Sequence, residues 1–551
     1  MTHKTGEIDV GRRTRSLFVY VYWAAVVLIF GWALWLRFTL PATPIADPDT
    51  GGYLSPAMGQ LIGTGWAHHL RNYLYPGFLL LRVFNDFRAI TVAQHLLGVA
   101  AGGLFLLVWR RTRDFASPSR VLREPHLAIG LWAVAIYLFA REPMRFETSV
   151  RPEGIVSFLV MLNIWLVVEF SWRCWARGTK QMPLLLAWSA VGSAIILSLA
   201  KPSFAIAAAG GLAPVALGLF GRFPARNKTA LALGSIVVAG ILLVPEQFLA
   251  RGDDAAKSFL PTDLFVIHAV IIRDQMAADV ASGAALPYPK DWLYRTERRL
   301  AGEIAKSATQ QPYPTLGLQP DYLMLRPDSF EMEMRREFRG RLDKLREFYR
   351  FYYQRAWREQ PGQMLQKIGR QMLVFYALPC PAYRLSRTWQ IAQDYDLSAD
   401  ALTKARVGRT WASYPPLVAF LGDTQRWAQT GLVLPIPGAI RKWESLLAFS
   451  YLPCLGAAMT MGAWLLVRPT SRRRLGLLVA LVVFFYWYNF GNCLEIAVVH
   501  SLDNHRYDRA QLIFTIMAQA ATFLLALEFA CEAVVARREL STRTAIGERS
   551  D

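Results

Sequence analysis

The stretch that decides the fold is Leu17–Leu36, "LFVYVYWAAVVLIFGWALWL", which holds no charged residue. At 1.5 Å per residue, a helix of this length is about 30 Å long, the thickness of the hydrocarbon core of a bilayer. Because lipid offers backbone amides no partner, such a run must be helical. A secretory signal peptide has an apolar core of only about 7–15 residues. This longer, aromatic-rich run therefore predicts a retained membrane helix.

Similar apolar blocks recur along the chain, in which 54% of residues are hydrophobic. They lie near 90–109, 127–140, 154–172, 183–200, 203–221, 229–249, 444–467, 475–493 and 510–536. Together with Leu17–Leu36 they predict an all-α polytopic membrane protein with about ten transmembrane helices.

The chain is strongly basic, with 61 Lys and Arg against 41 Asp and Glu. Nucleic acid binding is one explanation of such a charge, but the positions of the charges favour another. Basic residues collect in short segments at every second gap between the apolar blocks, at 4–15, 110–123, 173–180, 222–228, 468–474 and 537–549. The positive-inside rule places these segments, and with them both termini, in the cytoplasm. No nucleic acid partner is predicted.

This topology places four segments on the outer face: 37–89, 141–153, 250–443 and 494–509. We divide the chain into a transmembrane module (1–250) with surface helices in its first outer loop (37–89), a mainly helical extracytoplasmic or interfacial region (251–443), and C-terminal transmembrane helices with a cytoplasmic tail (444–551). The basic, aromatic stretch 329–376 either lies in the membrane interface or packs on a small extracytoplasmic domain. The pattern leaves both alternatives open.

Ionisable and aromatic side chains gather at the predicted outer helix ends. Charges near a membrane are costly, so they indicate function, although helix starts, turns and interfacial anchors are the alternative explanation. The candidates are Asp47, Asp49, Tyr53, Arg71, Tyr75, Arg151, Glu153, Lys201, His500, His505, Arg506 and Tyr507.

A carboxylate among several cations at the lipid–water boundary suits a reaction on an amphiphilic phosphate ester. The cations would hold the phosphate and neutralise charge on the leaving group, and the carboxylate would take a proton from an attacking hydroxyl. No Walker loop, GxGxxG or HExxH motif is present. His500, Asp503 and His505 have no specific metal-ligand spacing, so we predict no metal site and no firm cofactor, while leaving room for a divalent cation.

At these residues the chain resembles the GT-C superfamily of integral-membrane glycosyltransferases, which use polyprenyl-phosphate-linked sugars. "Asp49-Thr-Gly-Gly-Tyr53" has the family's spacing of an acid four residues before an aromatic in the first outer loop, although Thr50 stands where members of the D-E-x-x-Y form have Glu. "Arg71-Asn-Tyr-Leu-Tyr75-Pro76" is similar to a later basic and proline-containing motif, and "His505-Arg506-Tyr507" is similar to bacterial members.

The resemblance implies a GT-C-like fold with Asp49 as general base and Asp47 as the reserve candidate. It further implies an inverting glycosyltransferase at the outer face of a bacterial inner membrane, acting in cell-envelope glycan or lipid glycosylation. Its partners would be a polyprenyl-phosphate-sugar donor, a glycan, lipid or protein acceptor, and the membrane lipids. Two alternatives stay open: a transporter or flippase of an anionic lipid or sugar, and a glycan ligase with a diphosphate-linked donor.

Overall fold

A computed structural model describes residues 5–61, 71–80, 86–115, 123–179, 181–250, 254–404 and 414–547. Within them the chain is almost wholly helical. Two three-residue strands, β1 (Thr388–Gln390) and β2 (Val433–Pro435), pair antiparallel with Trp389 opposite Leu434. The predicted surface helices extend into 62–70 and 81–85, and the basic segments include Lys4, Arg120, Lys180 and Arg549; these positions lie outside the described residues.

The helices fall into two halves of the chain. The first eleven are α1 (Thr5–Thr39), α2 (Thr50–Leu61), α3 (Leu74–Leu80), α4 (Arg88–Thr112), α5 (Arg123–Phe139), α6 (Arg141–Thr148), α7 (Glu153–Ser171), α8 (Leu184–Ala200), α9 (Ala205–Ala208), α10 (Ala213–Phe220) and α11 (Ala225–Ala250). The others are α12 (Asp254–Ile267), α13 (Ala269–Ser282), α14 (Lys290–Ala308), α15 (Pro320–Met324), α16 (Phe330–Glu337), α17 (Leu342–Glu359), α18 (Pro361–Phe375), α19 (Ile391–Lys404), α20 (Pro415–Ala428), α21 (Gly438–Val467), α22 (Pro469–Val499), α23 (Arg506–Arg509) and α24 (Leu512–Gly547).

Among the described residues, eight helical segments are long and apolar enough to cross a membrane, and a ninth is obtained if α5 and α6 count as one bent span. The prediction of an all-α polytopic membrane protein is thereby confirmed. The prediction of about ten spans is too high by this measure. The block near 127–140 reaches the required length only across a 48° bend between α5 and α6, and α8 has only 17 residues.

The residues that follow α5 and α8 explain why these two helices are short. Arg141 and Glu142 follow α5 almost at once, so its apolar stretch ends early. The pair Lys201-Pro202 ends α8, and Pro202 opens a 3-10 turn. The following span, Pro202–Phe220, is itself broken into α9, a second 3-10 turn at Ala209–Leu212, and α10.

Residues of the region 251–443 belong to three hydrophobic cores, of which a small one includes Trp389 and Tyr395. Helices α12 to α17 share a core of their own, in which Phe265, Phe348 and Tyr352 are fully buried. Ile368 and Phe375 of α18 instead belong to the large core of the membrane helices. The basic stretch 329–376 therefore buries an aromatic face against neighbouring helices, as the packed alternative expects.

A buried ion pair joins the first helix to α6. Arg37, at the end of α1, donates to both carboxylate oxygens of Glu147 in α6, at 2.6 and 2.9 Å, and to the carbonyl of Leu138 at 2.9 Å. His95 Nδ1 of α4 lies 2.9 Å from the same carboxylate. A β-carbon at Gly98 would lie 1.9 Å from Glu147 Oε1, so only glycine fits there. The pair thus ties α1, α4 and α6 together.

Backbone bonds extend this junction to the loop between α1 and α2. The amide of Ile45 donates to the carbonyl of Thr148 at 2.7 Å, and the amide of Val150 donates to the carbonyl of Ile45 at 2.9 Å. The Gln94 amide of α4 donates to two carbonyls of the same segment, each at 2.8 Å. The segment 45–50 is therefore fixed beside the segment that leads into α7.

We expect Glu147→Gln to destabilise the protein strongly. The substitution leaves the Arg37 guanidinium buried without a counter-charge, and breaking one side of a buried pair typically costs about 3–5 kcal/mol. The measurement is thermal unfolding of the purified protein in detergent.

The matched control is Glu347→Gln, because Glu347 pairs with Lys344 at 3.0 Å on a solvent-exposed surface. That variant should unfold at the wild-type temperature. Equal unfolding temperatures for wild type and both variants would contradict a structural role of the Arg37–Glu147 pair.

Candidate active site

Asp47 and Asp49 have different local roles at the start of α2. Asp47 builds the turn, since its Oδ1 accepts the amide hydrogen of Asp49 at 2.8 Å and its carbonyl accepts that of Thr50 at 3.0 Å. Its other carboxylate oxygen faces the Arg151 guanidinium. The Asp49 side chain takes no part in this turn. The local geometry therefore leaves the Asp49 carboxylate to contacts with distant residues.

Two arginines from opposite parts of the chain hold Asp49. Arg71 Nη2 lies 3.1 Å from Oδ1, and Arg506 Nη1 lies 2.6 Å from Oδ2, although Arg506 is 457 positions away in sequence. Burial disfavours the charged carboxylate, but the Arg506 and Arg71 guanidiniums outweigh it and hold the pKa of Asp49 below its usual value. Asp49 is about one-third exposed, so a ligand has access to it.

A second carboxylate lies behind the first. Glu153, at the start of α7, accepts a hydrogen bond from Lys201 Nζ at 2.8 Å, and its Oε1 lies 3.3 Å from Arg506 Nε. Arg506 thereby bridges Asp49 and Glu153. Burial, aided by the nearby Arg506 charge and opposed by Glu153, lowers the pKa of the Lys201 ammonium to about 8. The cluster thus contains one cation that can lose its proton under mildly alkaline conditions.

Aromatic rings form the wall of the cluster. The Arg71 guanidinium lies 4.4 Å from the centre of the Tyr53 ring, and Lys201 and Arg506 each lie 5.0 Å from the centre of the Tyr507 ring. The His500 ring contacts Tyr507 at a centroid distance of 5.0 Å. Burial and the Arg506 charge lower the pKa of His500 to about 4, so its ring is neutral at physiological pH. These contacts orient the cations without neutralising them.

Two predicted site residues lie outside this arrangement. His505 turns away from Asp49, with its Nδ1 3.2 Å from Asp508 and half of its side chain exposed. Tyr75 is buried behind Tyr53, at a ring distance of 5.3 Å, and its hydroxyl donates to Gln94 at 2.9 Å. We read Tyr75 as a support for Tyr53 and His505 as a loop residue. The other ten lie in the cluster or contact it.

Several residues near the cluster were missed by the sequence reading. Asp263 lies in α12 and Asp321 lies in α15. Burial raises the pKa of Asp263 to about 8 and also raises the pKa of Asp321, with the Asp49 charge contributing to the second shift. Thr315 bonds to Asp503 of the loop that carries Arg506. In the sequence, the stretch 310–322, "QQPYPTLGLQPDY", is rich in Pro and Tyr, which is typical of a loop that could cover a cleft.

A cavity of about 580 Å³ adjoins the cluster on the Asp47 side. Its lining includes Asp47, Arg151, Arg145 and Asp394. Arg145 pairs with Asp394 at 3.1 Å, so most charges in this wall are already paired. The Asp47–Arg151 contact separates the cavity from Asp49. Within the described ranges no group of three or more His, Cys, Asp or Glu side chains is arranged to hold a metal ion.

The charge balance of the cluster favours an anionic ligand. Arg71, Arg151, Lys201 and Arg506 bring four positive charges, whereas Asp47, Asp49 and Glu153 bring three negative ones. All seven groups are at least partly desolvated. A phosphate that exchanges with Asp49 for the two guanidiniums would gain charge-assisted, bidentate hydrogen bonds. The arrangement can thus bind a phosphate next to a carboxylate.

Comparison with known proteins identifies no relative: no family model, no curated protein and no solved structure matches this chain.

We expect Lys201 to titrate near pH 8. The exposed Lys344 should titrate above the ordinary lysine value, because its partner Glu347 raises its pKa. NMR of protein with ¹³Cε-labelled lysine measures both groups, and Lys201→Arg and Lys344→Arg identify their resonances.

In the same experiment Arg506→Gln should raise the pKa of Lys201, because it removes a neighbouring positive charge. If Lys201 and Lys344 titrated at the same pH, the buried position of Lys201 and its electrostatic coupling to Arg506 would be contradicted.

Proposed function

We propose that the protein is an inverting glycosyltransferase that moves a sugar from a polyprenyl-phosphate donor to an acceptor hydroxyl, as a member of the GT-C superfamily acting at the outer face of a bacterial inner membrane. The observation that carries the proposal is the Asp49 carboxylate held between Arg71 and Arg506 at 3.1 and 2.6 Å. A base and a phosphate-binding pair of cations thereby occupy one partly exposed site at the ends of membrane helices.

Donor binding would begin with an exchange of partners. The phosphate takes the guanidiniums of Arg71 and Arg506, with Lys201 behind them, and Asp49 loses the charges that hold its pKa low. A carboxylate released in this way is a stronger base than in the empty site. The same event that binds the donor therefore activates the base.

The chemical step is a single displacement. The acceptor oxygen forms a bond to the anomeric carbon, and the bond from that carbon to the phosphate oxygen breaks. Asp49 accepts the proton of the acceptor hydroxyl, and the electron pair of the broken bond passes to the phosphate, where the arginines stabilise its charge. Displacement from one side inverts the anomeric centre. Glu153 holds Lys201 and Arg506 in position throughout.

A transporter of an anionic lipid or sugar is the second candidate, since the structure has one feature typical of that class. The span Pro202–Phe220 is broken into short helices, and α5 bends by 48° into α6. Discontinuous helices often line the substrate sites of transporters. Liposomes containing the purified protein separate the two functions, because a transporter moves labelled donor across the bilayer without releasing polyprenyl phosphate.

Asp49→Asn should reduce kcat about 10²–10⁴-fold, the usual contribution of a general base. The assay incubates purified protein with a panel of polyprenyl-phosphate sugars and acceptors and measures polyprenyl phosphate release. Asp86→Asn is the matched control, because Asp86 is an exposed acid of the same outer loop. Wild-type turnover by a folded Asp49→Asn protein would remove Asp49 as the base.

Arg506→Gln should raise the KM for the donor about tenfold or more, because a hydrogen bond to a charged group contributes about 1.5–3 kcal/mol. His505→Gln, one position earlier and turned toward Asp508, should leave the donor KM unchanged. An unchanged KM for Arg506→Gln would exclude Arg506 from donor binding.

A further inference from the structure

A second cavity lies at the end of the helix bundle opposite Asp49. Helices α4 and α7 both begin near the Asp49 cluster, and the cavity lies where they end. It has a volume of about 430 Å³, and its lining includes Val19 and Trp23 of α1, Leu107 and Arg110 of α4, and Glu169 of α7. It is thus separated from the candidate active site by the length of the bundle.

The arginines that line this cavity are unequally paired. Arg111 lies 2.8 Å from Glu169 and 3.5 Å from the centre of the Trp172 ring, so it has both a counter-charge and a stacking partner. Arg110 has only a distant ring contact, 5.9 Å from the centre of Trp23. Neither Arg110 nor Arg113 has an ion-pair partner among the residues that the structure describes. The lining holds three arginines against the two carboxylates of Asp114 and Glu169, so it keeps a net positive charge that an anion can neutralise.

A buried histidine adds a polar atom to the same wall. His126 is 98% buried, stacks on Trp109 and places Nε2 3.0 Å from Thr112 Oγ1. Its Nδ1 is buried with no hydrogen-bond partner in the described part of the chain. Arg113 lies close enough for its charge to act on the ring.

The remaining walls are apolar and face the surroundings of the bundle. Val19, Trp23 and Leu107 are 40%, 48% and 44% exposed, and they belong to membrane-spanning helices. A ligand with acyl chains enters such a cavity sideways, with its chains along α1 and α4. A soluble anion gains nothing from these walls.

We propose that this cavity binds the phosphodiester head group of an anionic membrane lipid, with Arg110 and Arg113 holding the phosphate and its acyl chains lying against α1 and α4. Basic cavities between helices at a charged membrane surface favour such head groups. Basic residues at helix C-termini also serve topology and the helix dipole. Neither role calls for a cavity with apolar walls beside two arginines that lack an ion-pair partner among the described residues.

The test measures lipid retention by native mass spectrometry of the purified full-length protein. Its probes are dioleoyl phosphatidylglycerol, dioleoyl phosphatidylcholine and inorganic phosphate. Wild type should retain phosphatidylglycerol at least about tenfold more tightly than phosphatidylcholine, and Arg110→Gln with Arg113→Gln should abolish this preference, since each arginine near an anionic lipid contributes about fivefold.

Arg468→Gln is the matched control, because Arg468 lies at the same end of the bundle, beside Trp464 at 5.2 Å, but outside the cavity. It should keep the preference for phosphatidylglycerol. Equal loss in this control would assign the preference to overall charge and overturn the proposal. The proposal would also be overturned if inorganic phosphate displaced phosphatidylglycerol at equal concentration. It would be overturned as well if the wild-type protein retained phosphatidylglycerol and phosphatidylcholine equally.

Discussion

The Arg37–Glu147 ion pair is the constraint on which the rest of the structure depends. An arginine that is 1% exposed at the end of a membrane helix requires a counter-charge and hydrogen bonds for all its donors. Glu147 supplies the charge with two bonds, and the Leu138 carbonyl accepts another hydrogen. Since Glu147 lies in α6, this requirement fixes the segment between α6 and α7 against α1. The bridge from Ile45 to that segment then positions the loop that carries Asp47 and Asp49.

The Asp49 cluster is assembled by charge pairing across the whole chain. Arg506 contacts both Asp49, just before α2, and Glu153, at the start of α7. Without an anionic ligand, these groups satisfy one another, and the surplus positive charge is shared among desolvated cations. A phosphate relieves that surplus, whereas a neutral ligand does not. The geometry therefore links substrate charge to the release of Asp49, which is the central feature of the proposed reaction.

The arginines at the two ends of the helix bundle have different partners. At the Asp49 end, the cations have carboxylate partners and aromatic neighbours. At the opposite end, Arg111 has both, but Arg110 and Arg113 have no carboxylate among the described residues. The difference has a physical consequence, because an unpaired guanidinium at a membrane surface attracts lipid phosphate. Arginine thus pairs with carboxylates at one end of the bundle and lines the proposed lipid-binding cavity at the other.

The sequence by itself determined that the chain is a helical membrane protein, because twenty uncharged residues in lipid have only one way to satisfy their backbone. It also placed the candidate residues at the helix ends, whereas the turn role that distinguishes Asp47 from Asp49 is visible in the structure. It overstated the number of spans, because hydropathy does not register the bend after Phe139. Only the tertiary structure decided that Arg71 and Arg506 meet at Asp49, that His505 turns away, and that Asp263 and Asp321 approach the cluster. The approach of Arg506, Asp263 and Asp321 to Asp49 depends on packing between segments hundreds of residues apart, for which a single sequence carries no local signal.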